Sequence, residues 1–286
     1  MFSCYSPFTV INDGEKLNVP CGKCANCLKR RAAGWSFRML QELKGAYSAK
    51  FITLTYETTK VPLSRAGRMD LSKRDLQLFF KRLRKAQGVQ NDKYDGDPVR
   101  SIPAPIKYYS CGEYGGETSR PHYHVILFNA SIELIQPAWN LGHIHYGDVS
   151  PASVGYCLKY MLKRKTKYSR YDDREREFSL MSKGLGSSYL SPGMLSFHKL
   201  DLENRMCCNL AGNKKIAMPR YYKDKIYSEQ EREKISEFFK SETQKQEIEL
   251  CLDLYSKGKS YNDVCKTIAL GAMESLNYRA KQSTFI

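Results

Sequence analysis

The chain has 286 residues, 42% of them hydrophobic and 12% aromatic, which suffices for a packed core and excludes a wholly disordered chain. Lys and Arg number 46 against 30 Asp and Glu, a formal net charge of +16, so a polyanion is the expected partner, and 20 tyrosines offer stacking surfaces to unpaired bases. No apolar run reaches the length of a bilayer span and the opening MFSCYSPFTV lacks the layout of a signal peptide, so no membrane is expected and the protein reads as soluble and cytoplasmic.

The first feature along the chain is a cysteine cluster. Cys21, Cys24 and Cys27 form CxxCxxC in PCGKCANC, with Cys4 upstream. Ten cysteines in a cytosolic chain argue for metal or reduced core thiols before disulfides. Closely spaced thiolates hold tetrahedral zinc, and Cys4 would complete a four-sulfur structural site; a cluster of free thiols is the other reading, and the residues leave both open. LKRRAAGWSFRMLQELKGA then predicts an amphipathic helix whose basic side, with Arg30, Arg31 and Arg38, is a candidate surface for a phosphate backbone.

FITLTY, Phe51 to Tyr56, is a β-rich run in which Thr53 and Thr55 share a face. After a loop with Pro62, Gly67 and Asp70, LSKRDLQLFFKRLRKAQG predicts a helix. Ser72 with Asp75 resembles a cap, Leu76, Phe79, Phe80 and Leu83 make the apolar stripe, and Gly88 marks the expected stop. A polar loop leads to IKYYSCGEYG and HYHVILF, two strands joined by a glycine-containing turn as an antiparallel hairpin. HIHYGDV predicts another strand. Ser150 as cap and Pro151 at the first helical position open a helix over ASVGYCLKYMLKRK. Thr166 to Asp224 carries scattered Gly and Pro with few periodic runs, and an extended, basic, irregular region is expected there. From Ser228 onward the pattern is helical, with a last short helix. The expected fold is α+β: a central antiparallel sheet with flanking helices over residues 1–165, then a basic irregular region and C-terminal helices over 166–286.

Candidate chemistry gathers on two of these elements. His122 and His124, in RPHYHVILF, point to one face of a strand, and Glu113 in CGEYG sits just before the hairpin turn. Two imidazoles and a carboxylate leave open positions for phosphate oxygens and suit manganese or another transition ion, with magnesium also possible. GHIHYG repeats the spacing with His143 and His145. Spacing does not separate the pairs; the apolar strand that follows favours the first, and the second reads as structural or near bound DNA. Glu117 and Asp148 are alternative carboxylates. In SVGYCLKYMLKRK, helical spacing sets Tyr156, Lys159, Tyr160 and Lys163 on one face. A phenol can attack a phosphodiester covalently, with a divalent cation and lysines neutralising the nonbridging oxygens.

The ordered set FITLTY, CGEYG…RPHYHVILF and YCLKYMLK resembles the HUH endonucleases that initiate rolling-circle replication, and among them the replication initiators of the small single-stranded DNA microviruses. PCGKCANCLKRRAAGW points to their gokushovirus branch. The resemblance covers Cys21 to Lys163 well and MPRYYKDK more loosely. It implies a small antiparallel sheet with the metal pair His122 and His124 on a central strand, Glu113 as their partner, and the tyrosine helix beside it. It links the Thr53/Thr55 strand to origin recognition. It makes Tyr156 and Tyr160 paired nucleophiles: one nicks the origin strand, is linked to the 5′ phosphate and frees a 3′ hydroxyl primer, and the other rejoins the displaced genome. Single-stranded DNA and the viral origin are the implied partners. No GxxxxGK[ST] loop is present, so a host helicase would unwind and a host DNA polymerase extend, in the cytoplasm of a bacterial host. Two rivals stand beside this: a plasmid or transposon HUH nuclease, and a non-catalytic zinc-containing protein that binds single-stranded nucleic acid.

Overall fold

A computed structural model of the chain describes residues 4–12, 14–97, 101–162, 171–210, 212 and 214–282. The elements run β1 (Phe8–Asn12), β2 (Glu15–Val19), α1 (Ala25–Lys44), β3 (Ala49–Thr55), α2 (Lys73–Lys93), β4 (Lys107–Tyr114), β5 (Pro121–Phe128) and α3 (Ile135–Ala138). They continue with β6 (Ile144–Asp148), α4 (Pro151–Leu162), β7 (Phe178–Met181), α5 (Pro192–Lys199), β8 (Cys207–Asn209), β9 (Lys215–Ala217), α6 (Arg220–Ile226), α7 (Glu229–Ser256) and α8 (Tyr261–Gln282). The chain divides into two compact units, Arg38–Ser187 and Met1–Phe37 with Ser188–Ile286. Among the described residues no helix is long and apolar enough to cross a membrane.

Arg38–Ser187 is built on a five-stranded antiparallel sheet in the order β6-β3-β5-β4-β7, which bears out the α+β expectation. Alternation along the strands sorts side chains to two faces. Ile52 and Leu54 of β3, with Tyr56 just beyond it, and Tyr123, Val125 and Leu127 of β5 face one way. They join Leu76, Phe79, Phe80 and Leu83 of α2 in a single core. Each such side chain contributes about 1.5–3 kcal/mol of apolar burial. Ser72 caps α2 as expected, its hydroxyl accepting from the Asp75 N–H at 3.1 Å. Behind the sheet a polar relay fixes β5: the Ser72 N–H donates to Tyr123 Oη (2.8 Å), the two phenols of Tyr123 and Tyr56 lie 2.8 Å apart, and Tyr56 donates to the Asp75 carboxylate (2.9 Å).

The expected stop of α2 at Gly88 is wrong. The helix continues to Lys93. Glycine in a helix costs about 1 kcal/mol. Fixed side-chain bonds on either side offset it: Gln87 donates to the Asn129 carbonyl (2.7 Å), and Asn91 exchanges two bonds with the Ile102 backbone (2.7 and 3.0 Å). The stretch Thr166–Asp224, expected to be irregular, contributes β7 to the main sheet, the β8–β9 pair, and α5 and α6.

On the opposite sheet face lie Phe51, Thr53 and Thr55 of β3 and His122 and His124 of β5. There α4 packs on β4 and β5, burying Val154, Cys157 and Leu158. Its start follows the sequence: Pro151 is the first residue, and the Ser150 hydroxyl accepts from the Ser153 N–H at 3.2 Å.

The other unit has its own core of Phe37, Cys208, Met218, Tyr222, Ile226, Tyr227 and Ile235. Phe37 meets Tyr189 and Tyr222 edge-on at 5.0 and 5.9 Å. A hairpin absent from the sequence expectations, β1–β2, opens it. Ser228 and Glu231 form a reciprocal capping box at the start of α7, and α8, expected to be short, has 22 residues.

Candidate active site

Register decides which side chains meet. Glu113 on β4 pairs across from His122 on β5, and Thr55 on β3 lies on the other side of His122. One row along, Thr53 stands opposite His124. Glu113 Oε1 lies 2.7 Å from His122 Nε2 and 3.0 Å from His124 Nε2. The imidazoles stand at 86° to each other, centroids 4.9 Å apart. The side chains are largely withdrawn from water, 6% exposed for Glu113, 8% for His124 and 20% for His122.

The donor set fits a transition metal ion. One ligand atom from each of Glu113, His122 and His124 falls within 4.8 Å of the others. Both Nδ1 atoms are engaged away from the convergence point, His122 Nδ1 with the Arg120 carbonyl (3.2 Å) and His124 Nδ1 with the Thr53 hydroxyl (2.9 Å). Outer contacts of this kind fix the tautomer that turns a basic Nε2 toward a cation. Thr53→Val keeps the shape and removes the contact. About a tenfold loss of manganese affinity is expected, read by titration of the metal alone; unchanged affinity would show that Thr53 does not orient the ring.

Electrostatics bind the three together. Burial works against a charged His122, but the hydrogen bond and charge of Glu113, the Arg120 carbonyl and the charge of Glu177 outweigh it and raise its pKa. Burial likewise opposes ionised Glu113, and its bonds to His122 and His124 outweigh that and lower its pKa. Glu177 is a residue that sequence reasoning missed. β7 pairs Phe178 with Gly112, so the residue before it stands beside Glu113. The other carboxylates considered lie elsewhere: Glu117 is exposed in the turn, and Asp148 is paired with Lys50 at 2.8 Å.

Tyr156, on α4, reaches the cluster. Its ring stands edge-on to His124, centroids 5.1 Å apart at 89°, and to Phe51 at 6.1 Å. Lys159 Nζ lies 5.5 Å from the Tyr156 ring centroid, and Lys159 is only 4% exposed, so it is not a solvated surface lysine. Tyr160 lies one turn further along α4, and Lys163 falls outside the described residues. His143 lies just before the edge strand β6 and His145 within it; both are exposed and no third ligand joins them among the described residues. Of the basic surface, Arg30 and Arg31 are exposed. Arg38 is not part of it: it is buried, its Nε donating to the Leu185 carbonyl at 2.9 Å.

The cysteines also converge. One Sγ from each of Cys4, Cys21, Cys24 and Cys27 falls within 4.8 Å of the rest, and Cys4 and Cys24 Sγ are 3.9 Å apart. Sulfurs 2.3 Å from a tetrahedral zinc are roughly 3.8 Å apart, so the donor set fits that ion. Gly22, at φ +69°, makes the turn that brings the N–H groups of Lys23 and Cys24 to Cys21 Sγ (3.4 and 3.3 Å). Burial opposes the Cys21 thiolate, yet these donors and the thiols of Cys4 and Cys24 bring its pKa down to about 6. Burial pushes Cys27 up to about 12.

Residues 49–165 match a family model described as a replication-associated protein of the ORF2 type. The chain is 25% identical over 238 residues to Replication-associated protein VP4 of Bdellovibrio phage phiMH2K, covering 77% of this chain and 71% of that protein. It is 25% identical over 256 residues to Replication-associated protein ORF2 of Spiroplasma virus 4 (82% and 75%), and 23% over 232 residues to Replication-associated protein ORF4 of Chlamydia phage 1 (72% and 53%). No solved structure matches the chain. The matched segment runs from β3 through α4, and so holds Glu113, both histidine pairs, Tyr156 and Tyr160. By the order of those elements and by its relatives, the chain belongs to the microvirus replication-associated proteins.

Proposed function

We propose that the protein acts in viral DNA replication as a metal-dependent nickase that cuts the origin strand and later rejoins it. The observation that carries this is the Tyr156 ring standing against His124, itself one member of the Glu113–His122–His124 cluster. A manganese or magnesium ion held by Glu113 and the two Nε2 atoms would neutralise nonbridging oxygens of the scissile phosphate. Tyr156 supplies the attacking oxygen. As its Oη–P bond forms, the P–O3′ bond breaks; the phenol gives up its proton and the leaving 3′ oxygen gains one. The 3′ hydroxyl primes synthesis, and the phosphotyrosine keeps the phosphodiester's energy for religation. Lys159 sets positive charge beside the phenol, where negative charge develops on ionisation. Tyr160 is the second nucleophile and reverses the step on the displaced genome; Lys163 is its lysine. The substrate is single-stranded DNA at the viral origin, with unwinding and extension left to a host helicase and a host DNA polymerase in the bacterial cytoplasm.

The test is a denaturing gel of the purified protein with labelled origin-containing single-stranded DNA and manganese. Label remaining on the protein supports the reading. Tight binding with no adduct would favour a non-catalytic single-strand binder instead.

We further propose that Cys4, Cys21, Cys24 and Cys27 hold a structural zinc that pins the chain beside β2 to the start of α1. The purified protein is expected to contain about one zinc per chain by elemental mass spectrometry. Cys24→Ser should remove it and lower the melting temperature by about 5 °C or more. Zinc-free protein whose melting is unmoved by chelators would leave the four as free thiols.

A further inference from the structure

We infer that His143 and His145 form a landing strip for the phosphate backbone of the substrate strand, flanking the cleavage site. The inference deepens the nickase reading and rests on it. β6 is an edge of the main sheet, paired only with β3. His145 stands opposite Thr53, and Thr53 stands opposite His124. One row along, the Thr55 N–H donates to the His143 carbonyl at 2.9 Å and the Thr55 hydroxyl to the same oxygen at 3.1 Å, while Thr55 stands opposite His122. Side chains opposite each other in neighbouring strands share a face. The second histidine pair therefore faces the same way as the candidate metal ligands, two strands over, roughly 10 Å away.

The surroundings say which way a polyanion lies. On the far side of the cluster, the row through His122 ends in two carboxylates, Glu113 and then Glu177 by the β4–β7 register. That edge repels phosphate. Above Phe51 and His124 stands Tyr156, with α4 covering β4 and β5. Toward β6, the side chains instead open to water: Thr53 and Thr55 are half-buried and His143 and His145 exposed. Gly147 adds no side chain to that face, since a Cβ there would meet the Phe51 ring at 3.4 Å. The lane from the cluster to the β6 edge thus carries two hydroxyls and two imidazoles and no acid, all able to donate to phosphate oxygens. Neither histidine is needed to complete the metal cluster, whose donors are already satisfied by Glu113, His122 and His124.

The test uses the full chain and a fluorescent oligothymidylate, with and without manganese. His143→Ala/His145→Ala is expected to weaken single-strand binding about tenfold, by anisotropy. In adduct formation the half-saturating DNA concentration should rise similarly, with the rate at saturating DNA within about twofold of wild type. Manganese titrated alone should bind the variant as it binds wild type, and His143→Lys/His145→Lys should restore DNA affinity. Unchanged DNA affinity in the Ala variant overturns the proposal, as does a parallel loss of manganese affinity, which would assign the pair to the metal cluster. If wild-type protein formed no adduct at all, the nickase reading would fail while the anisotropy experiment still decided the strip.

Discussion

In a Tyr156→Phe/Tyr160→Phe double variant, the covalent protein–DNA adduct is expected to vanish from a denaturing gel, a loss of about 10³-fold or more in adduct-forming rate. Phenylalanine keeps the ring contacts of Tyr156 with His124 and Phe51 and deletes only the attacking oxygen, so single-strand affinity should stay near that of wild type. The single variants discriminate further. Two interchangeable nucleophiles leave partial activity in each; one nucleophile leaves one variant silent and the other inert. Tyr156→Phe should be the more damaging for the first cut, since Tyr156 is the phenol seen against the cluster. A double variant that still retains label through denaturation would place the chemistry on another residue.

Glu113→Ala should cost the metal, about 100-fold or more in manganese affinity, because it removes the one charged donor that both imidazoles share. His122→Ala should act alike. Adduct formation should fail in both at ordinary manganese and recover partly at high concentrations. Normal manganese binding in Glu113→Ala would remove Glu113 from the site. The same contacts fix a pH dependence. In the metal-free protein His122 is raised, so a cation must displace its proton, and manganese affinity should climb with pH through the raised value. Stability of the metal-free form has two edges. The raised His122 contributes fully below the ordinary imidazole value, and the contribution fades as pH rises through the folded one. The lowered Glu113 contributes above the ordinary carboxylate value and fades as pH falls through the folded one. The triad therefore stabilises the metal-free fold most between about pH 4.5 and 6.5. A metal-free melting temperature flat across that range and beyond it would contradict the coupling.

What the sequence made legible follows its strongest periodicities. Thr53/Thr55, the His122/His124 pair and the Ser72-capped stripe of α2 stand where alternation and helical spacing put them. Gly88 misled because a local penalty was weighed without Gln87 and Asn91, whose partners lie on distant loops. The β1–β2 hairpin carried its own signal, Asn-Asp-Gly between two β-rich runs, with Gly14 at φ +83°, and it was overshadowed by the cysteines next to it. Arg38 read as surface charge from its helix face alone; burial against the Leu185 carbonyl is a tertiary fact. Glu177 could not be found at all, since it joins the site only through the register of a four-residue edge strand. Lys159 shared a helix face with Tyr156 on paper, and nothing in that pattern announced that its ammonium would be buried.

The edge-on meeting of Tyr156 and His124 has one more implication. The cluster is fixed in a sheet, whereas the two phenols sit on a helix, one turn and about 5.4 Å apart along its axis. An enzyme that alternates them has a problem of translation: either the DNA end or the helix must travel a turn's length between strokes. Cutting and rejoining would then be gated by a ratchet, and the pace of genome release set by that displacement as much as by bond chemistry.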